Sequence, residues 1–518
     1  MIKILWVDDE IQHLTAHVRY LEKHGYHVFT APNGKKALEV LRAERIDMVL
    51  MDQMMVGMDG LETVGVIRRN YHSLPIVMVT QSEEEELMDT AIGSEVDDFL
   101  TKPVNPSQIL LVIKKLLLGS RLRTEKATRE IVDQTARVMD LRSHEMDASH
   151  WIEIYRSWVE KDVSSNGSIT DAMKSLDRHR FSDMELDFSK FIERNYPEWV
   201  SSDGPNVPLM SHNYLERVVA PAMGSASEVV MMVIDCMRYD QWLTMLPVLE
   251  KWYHIETDFM ITVLPSATPY SRNSIFSGLL PRDIWRFYRN MWNENYGAEG
   301  LNRHEQFYLT EALKRLGCGR SLQPDYVKIS NRREGDSLIH SLSRHLNNGF
   351  LAIIVNYIDH LTHGRSELDL IRDLAPDVAS FRRLAETWFM SSFLKELFKT
   401  LAARGTTVII TSDHGSVFTT RESRIKGRGV SGSIRFRFGT SMAAEHKAVI
   451  TVRDPASWGL PDDRPSKQYL FARSDYFLMF SGVPREELYK FRNTFQHGGV
   501  SLDEMIVPSI VMKPKSLN

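Results

Sequence analysis

Five apolar runs in this chain stop abruptly at an acid, and that habit constrains its fold more than any other feature. "KILWV" is followed by Asp8 and Asp9, "MVLM" by Asp52, "VVMMVI" by Asp235, "LAIIVNYI" by Asp359, and "TTVIITS" by Asp413 and His414. Short apolar runs separated by amphipathic stretches such as "NGKKALEVLRAER" are the pattern of β–α repeats around a buried parallel sheet. In such sheets the carboxyl ends of the strands line the ligand crevice, so these acids are expected to converge. They form two groups, one within residues 1–118 and one within 206–518, and a chain of 518 residues is long enough for separate domains.

In the first group the run ends deliver Asp8 and Asp9, then Asp52, then Thr80, then Lys102. Three clustered carboxylates favour a hard cation such as Mg²⁺. A cation beside Asp52 would make its carboxylate a usable nucleophile toward a phosphoryl group. Taken in this order, with Lys102 followed by Pro103, residues 1–118 resemble the receiver domain of two-component response regulators. The resemblance implies a flavodoxin-like, doubly wound parallel sheet with Asp52 as phospho-acceptor. It makes Asp8, Asp9 and Asp52 the magnesium ligands, Thr80 and Lys102 the phosphoryl contacts, and Phe99 the switch aromatic. The acidic run at 83–86 reads as a solvated face.

Residues 119–205 carry few strand signals. "RLRTEKATREIVDQTARVMDL" has helical spacing throughout, and "HWIEIYRSWVEK" and "ELDFSKFIERNYPEWV" add aromatic stripes. A helical-bundle connector is expected, ending at the Pro/Gly-rich "SSDGPNVPLM" near residue 205.

The second group adds histidines. His363 follows Asp359 at a helical i, i+4 spacing, and His497 precedes a Gly-Gly pair in "QHGGVSLDEMIVP". Three aspartates and three histidines suit Zn²⁺, with Mn²⁺ as the competing ion, and suffice for two three-residue sites. "LPSATPYSRNSIFSGLLP" (264–281) leads hydroxyls into a helix-like run. There the helix dipole would stabilise an alkoxide, although a hydroxyl at that place also serves as an N-cap.

This constellation, with the phrases "VIDCMRYD" and "HGGVSLDEMIVP", resembles the PglZ branch of the alkaline phosphatase superfamily. The resemblance implies an α/β effector in which Thr268, ten residues before Gly278, is the nucleophile. Asp235, Asp413 and His414 would share one zinc with Thr268, and Asp359, His363 and His497 would hold the second. Threonine rather than cysteine at 268 excludes formylglycine chemistry and implies a phosphodiesterase, with in-line displacement through a phospho-threonine. The same register makes Ser271 and Arg272 candidate substrate contacts. Further candidates are Arg424, Lys426 and Arg428 in "RESRIKGRGVSGSIRFRFG" (421–439), a stretch that also holds Arg421, Arg435 and Arg437. That stretch either draws in a polyanion such as a nucleotide or oligonucleotide, or is a solvated basic loop or hairpin.

The apolar fraction (43%) and charged fraction (25%) are those of a globular protein, and the net charge of −5 points to no partner. No apolar run reaches the roughly 18 residues of a membrane helix, so no membrane insertion is expected. Two cysteines, Cys236 and Cys318, make no disulfide framework, which points to the cytoplasm. The order receiver, connector, PglZ effector resembles the PorX-type response regulators of type IX secretion. That implies a sensor histidine kinase, a homodimer promoted by phosphorylation, and contacts with secretion-motor or sigma-factor components. Two other readings stay open at this point. One is a catalytically silent zinc-containing effector acting through protein contacts. The other is a DNA-binding transcription regulator, which would need a helix-turn-helix within 119–205 or 282–350.

Overall fold

A computed structural model describes residues 2–55, 57–71, 74–80, 96–118, 146–164, 171–202, 204, 207–292, 302–318, 324–367, 373–484, 488 and 490–515. The acidic run at 83–86 and the long helix expected over 121–141 lie outside these residues. The chain divides into two compact units, Met1–Met139 with Gly167–Ile169, and Asp140–Asn166 with Thr170–Asn518.

In the first unit, strands β1 (Ile2–Val7), β2 (Tyr26–Ala31), β3 (Met48–Asp52), β4 (Ile76–Thr80) and β5 (Asp98–Thr101) form one sheet. Its order is β2-β1-β3-β4-β5 and every pairing is parallel. The apolar runs are continuous because the central strands bury both faces. Leu5, Val7, Val49 and Met51 enter one core, while Ile4, Trp6, Met48 and Leu50 enter the other. Helices Gly34–Ala43, Gly60–Asn70 and Pro106–Ile113 each start on a side-chain cap, from Asn33, Asp59 and Asn105 respectively. The strand order reverses between β1 and β3, which opens a crevice at their carboxyl ends.

The main sheet of the second unit contains β6 (Val229–Ile234), β7 (Tyr253–Ile261), β8 (Asp325–Ile329), β9 (Phe350–Val355) and β10 (Thr407–Thr411). After β10 the chain makes a short pair, β11 (Val417–Thr419) with β17 (Thr494–Gln496). Between these two lies a smaller sheet of β12 (Arg421–Gly432), β13 (Phe436–Ala443), β14 (Val449–Val452), β15 (Gln468–Ala472) and β16 (Tyr476–Phe480). The chain then returns as β18 (Ile506–Pro514), giving the main sheet the order β7-β18-β10-β6-β9-β8. Strands β10, β6, β9 and β8 run parallel, and β18 alone runs against them, pairing antiparallel with both β10 and β7.

The described helices of the expected connector, Ala148–Ser164 and Asp171–Trp199, belong to this second unit. Their aromatic stripes are consumed in packing: Trp151 meets Phe188 edge-on and Phe191 at a tilt, and Trp158 stacks on Phe181. Polar groups tie them to the sheet. Arg156 donates to the Thr257 carbonyl on β7, and Tyr155 donates to Asp503. Among the described residues no helix is long and apolar enough to cross a membrane.

Candidate active site

The acids of the second unit converge because the strand registers leave no alternative. Thr411 of β10 lies opposite Val233 of β6, so Asp413 and Asp235, each two residues further on, leave the sheet at one level. β9 pairs Val355 with Ile234 and then turns into the helix Tyr357–Glu367, which carries Asp359 in its first turn. Asp359 is thus a helix-start residue rather than a strand-end one. The β11–β17 pair sets Val417 opposite Gln496 and brings the chain back after the smaller sheet, so His497 returns to His414. Their rings stack at 4.1 Å between centroids.

Thr268 is the first residue of the helix Thr268–Ser277, and the preceding Ala267 occupies the N-cap. The hydroxyl therefore has no capping duty; Oγ1 lies 2.9 Å from His414 Nε2. The other ring nitrogen, Nδ1, lies 3.0 Å from the Gly415 carbonyl, which can only accept. Nδ1 therefore carries the proton, and Nε2 presents its lone pair to the site. Gly415 is required here, since a Cβ would overlap the Asp503 carbonyl oxygen.

Asp235, Asp413 and His414 are buried, with ligand atoms all within 4.8 Å of one another. Asp235 Oδ1 and Asp413 Oδ2 are buried without a hydrogen-bond partner. Burial, then the neighbouring Asp413, pushes the Asp235 carboxyl well above the usual range, with Arg272 opposing. Two dry carboxylates and an imidazole lone pair are a donor set that a divalent zinc ion fits, and a bound cation would reverse that upward push. Beside them His497 Nε2 stands 3.7 Å from Asp359 Oδ1, the two described members of the second expected zinc site. His363 lies on the Asp359 helix, and its side chain is outside the described residues.

Ser271 and Arg272 do not face an open substrate crevice. Nearly the whole helix Thr268–Ser277 is buried; Ser271 Oγ donates to the Val263 carbonyl, and Arg272 is 3% exposed. The Arg272 guanidinium bonds Asp235 Oδ2 at 2.6 Å and Glu305 Oε1 at 2.5 Å, so it orients the Asp235 carboxylate. Glu305 in turn accepts from Asn302 and Tyr326. The basic stretch is the β12–β13 hairpin. Within it Arg435 is buried against Glu504, Arg424 donates to the Phe480 and Val483 carbonyls, and Lys426 and Arg428 stay exposed. Glu305, Asn302 and Tyr326 carry no spacing signal in the sequence; only the fold brings them to Arg272.

In the first unit Asp8, Asp9 and Asp52 form the other compact ligand cluster among the described residues. Lys102 Nζ reaches Asp8 at 3.0 Å and Asp52 at 3.1 Å. Burial raises the Asp52 carboxyl; Lys102 only partly offsets this, and Asp8 and Asp9 add to it. Thr80 ends β4 and is buried, while Phe99 on β5 is half-buried and packs on the adjoining core.

A family model described as the BREX system PglZ alkaline phosphatase-like domain matches residues 214–512, more than half of the chain. A response regulator receiver domain model matches residues 4–114, and a PorX response regulator linker domain model matches 121–200. In this order the three bear out the resemblance to PorX-type response regulators and the α/β multidomain class. Among curated proteins, the alkaline phosphatase synthesis transcriptional regulatory protein PhoP of Bacillus subtilis is 36% identical over 122 residues, 23% of this chain and 50% of that protein. The transcriptional regulatory protein ZraR of Klebsiella oxytoca is 34% identical over 139 residues, 27% of this chain and 31% of its own. The chain thus spans half or less of the length of these curated relatives. Among solved structures, chemotaxis protein CheY4 of Vibrio cholerae has 32% identity and a TM-score of 0.22, covering 23% of this chain and 99% of that one. Response regulator TrrA of Thermotoga maritima has 31% identity and a TM-score of 0.21, covering 23% and 100%.

Proposed function

This chain belongs to the BREX system PglZ alkaline phosphatase-like family, and on that premise we propose that it is a response regulator with a zinc-dependent phosphodiesterase effector, phosphorylated on Asp52. The observation that carries this is the Thr268 hydroxyl, 2.9 Å from His414 Nε2 beside two buried carboxylate oxygens that accept no hydrogen bond. Asp235, Asp413 and His414 hold one zinc in this reading, and Asp359, His497 and His363 the other. Bound zinc supplies the positive charge that lowers the hydroxyl pKa and stabilises charge on the phosphoryl oxygens.

The chain's own groups do the rest. Thr268 Oγ1, its proton passing to solvent, attacks phosphorus in line as the bond to the leaving alcohol oxygen breaks and that oxygen takes up a proton. Water then hydrolyses the phospho-threonine to free Thr268. The N-terminus of its helix favours both the developing alkoxide and the incoming anion. The Gly415 carbonyl fixes the His414 ring through Nδ1, and Arg272, held by Glu305, fixes Asp235. Burial of these groups keeps bulk water from competing with the Thr268 hydroxyl.

A threonine nucleophile favours a phosphodiester, and the exposed Lys426 and Arg428 favour a polyanionic one, a nucleotide or short oligonucleotide. The receiver takes its phosphoryl group from a sensor histidine kinase, with Mg²⁺ at Asp8, Asp9 and Asp52. The match to the PorX linker supports a role in regulating type IX secretion, through a phosphorylation-promoted dimer that contacts secretion-motor or sigma-factor components. The decisive assay is release of p-nitrophenol from bis(p-nitrophenyl) phosphate by the zinc-loaded full chain. Turnover abolished by a chelator and restored by zinc is expected; no turnover in any metal-loaded preparation would sink the reading.

A further inference from the structure

The helix Asp171–Trp199 lies outside the segment matched by the phosphatase-like family model, yet one of its faces is bonded to the loops that carry the site. Glu185, Ser189, Glu193 and Tyr196 are spaced by four, four and three residues, which sets them on a single helical stripe. Glu185 is 2% exposed, and Ser189 and Tyr196 are fully buried. Packing alone would be served by apolar residues there, and an unpartnered buried carboxylate is costly.

Each polar group of the stripe has a partner close to the site. Both Glu185 oxygens accept from the Leu502 N–H, at 3.0 and 3.1 Å, five residues beyond His497. The Tyr196 hydroxyl accepts from the Leu264 N–H at 2.8 Å, four residues before Thr268. Ser189 and Glu193 hold Arg473, whose neighbours Ala472 and Ser474 bond the backbone of Val500. The two loops are also joined to each other, Ser266 Oγ donating to the Gly499 carbonyl at 2.7 Å. A displacement of either loop is therefore passed to the other.

We infer that Glu185 and Tyr196 are positioning residues for phosphoryl transfer: through them the linker helix sets the His497 loop and the Thr268 loop in mutual register. The inference rests on the phosphodiesterase reading for its kinetic consequence, and on the zinc site alone for its second readout. Groups that orient ligands and nucleophiles from behind change rate or metal affinity by about 10- to 100-fold when removed.

The test uses the full chain and the variants Tyr196→Phe, Glu185→Ala and Glu185→Gln, the last keeping one acceptor oxygen for Leu502. Measured are kcat and KM on bis(p-nitrophenyl) phosphate, zinc retention against a competing chelator, and the thermal midpoint. Tyr196→Phe and Glu185→Ala should lower kcat by about 10-fold or more with KM within about twofold. Glu185→Ala should also weaken zinc retention by about 10-fold, and Glu185→Gln should recover most of both losses. Folded variants with wild-type kcat and zinc retention would overturn the inference, as would losses that merely follow the thermal midpoint without rescue by glutamine. If the wild type itself turns nothing over, the phosphodiesterase reading has failed. Zinc retention across Glu185→Ala and Glu185→Gln then decides this one, equal retention overturning it.

Discussion

At the scale of single residues, the candidate site sets a hydroxyl, an imidazole and two acids together, and the duty proposed for each can be tested. Thr268→Val keeps the volume and removes the hydroxyl. Phosphodiester hydrolysis should fall on the order of 10³-fold or more while zinc content by elemental analysis stays at the wild-type level. Gly415→Ala forces a Cβ onto the Asp503 carbonyl oxygen, and backbone cannot swing aside as a side chain can. It should cost about 1–3 kcal/mol, read as a lowered urea midpoint. Asp235, Asp413 and His414 were legible because they stand at the ends of short apolar runs. Thr268 was legible only by family resemblance, since an N-terminal hydroxyl is ambiguous until the structure shows that Ala267 holds the cap. Arg272, expected as a substrate contact, bonds Asp235 and Glu305 instead of facing open solvent. Its partner Glu305 lies thirty-three residues away, and no local pattern announces that pairing.

At the scale of elements, long-range ion pairs fasten the smaller sheet and the helices around the site. Arg435 on the approach to β13 is fully buried against Glu504, which also accepts from the Gly499 N–H in the His497 loop. Arg435→Ala leaves a buried carboxylate without its cation and should cost about 3–5 kcal/mol in chemical denaturation. In the sequence this arginine looked like one of a basic row, because burial on a hairpin cannot be told from exposure when glycines interrupt the alternation. The strands that lead to the acids, β1, β3, β6, β9 and β10, were legible as apolar runs, whereas β7, β8 and most of the smaller sheet were not. β2 was not named, since its burial alternates at the sheet edge and its apolar run is broken.

Asp240, on the helix Tyr239–Leu249, binds Arg238 and, on the helix Val378–Ser391, Arg382, which also meets Asp162. Burial would raise the Asp240 carboxyl, but Arg238 and Arg382 overcome it and hold it below the usual range. With a folded pKa below the unfolded value of about 3.9, the pair stabilises fully above that pH and fails as pH falls through the folded value. Between pH 7 and pH 3, Asp240→Asn should therefore lose less stability in urea than the wild type does, although it starts lower at pH 7.

At the scale of the whole molecule, two compact units should report their ligands separately. Calorimetry with Mg²⁺ and beryllofluoride should raise the receiver's transition, by about 2.7 kcal/mol of stability at a hundredfold excess over Kd, and Asp52→Asn should abolish that response. A zinc chelator should lower the other unit's transition and leave the receiver's in place; a single transition moved equally by both treatments would contradict the division. The division into receiver and effector was legible because the chemistry at the run ends changes between them. The allegiance of the helices Ala148–Ser164 and Asp171–Trp199 was not, since amphipathic stripes say that a face is buried and never against what. That allegiance has a consequence for descent. If Glu185 and Tyr196 come with the phosphatase-like fold, recombination that swaps sensors onto this effector can succeed only by joining the chains upstream of residue 148. Lineages that shuffled such regulators should then carry their crossover scars there, and none at the Pro/Gly-rich junction near 205 that looks, on paper, like the natural place to cut.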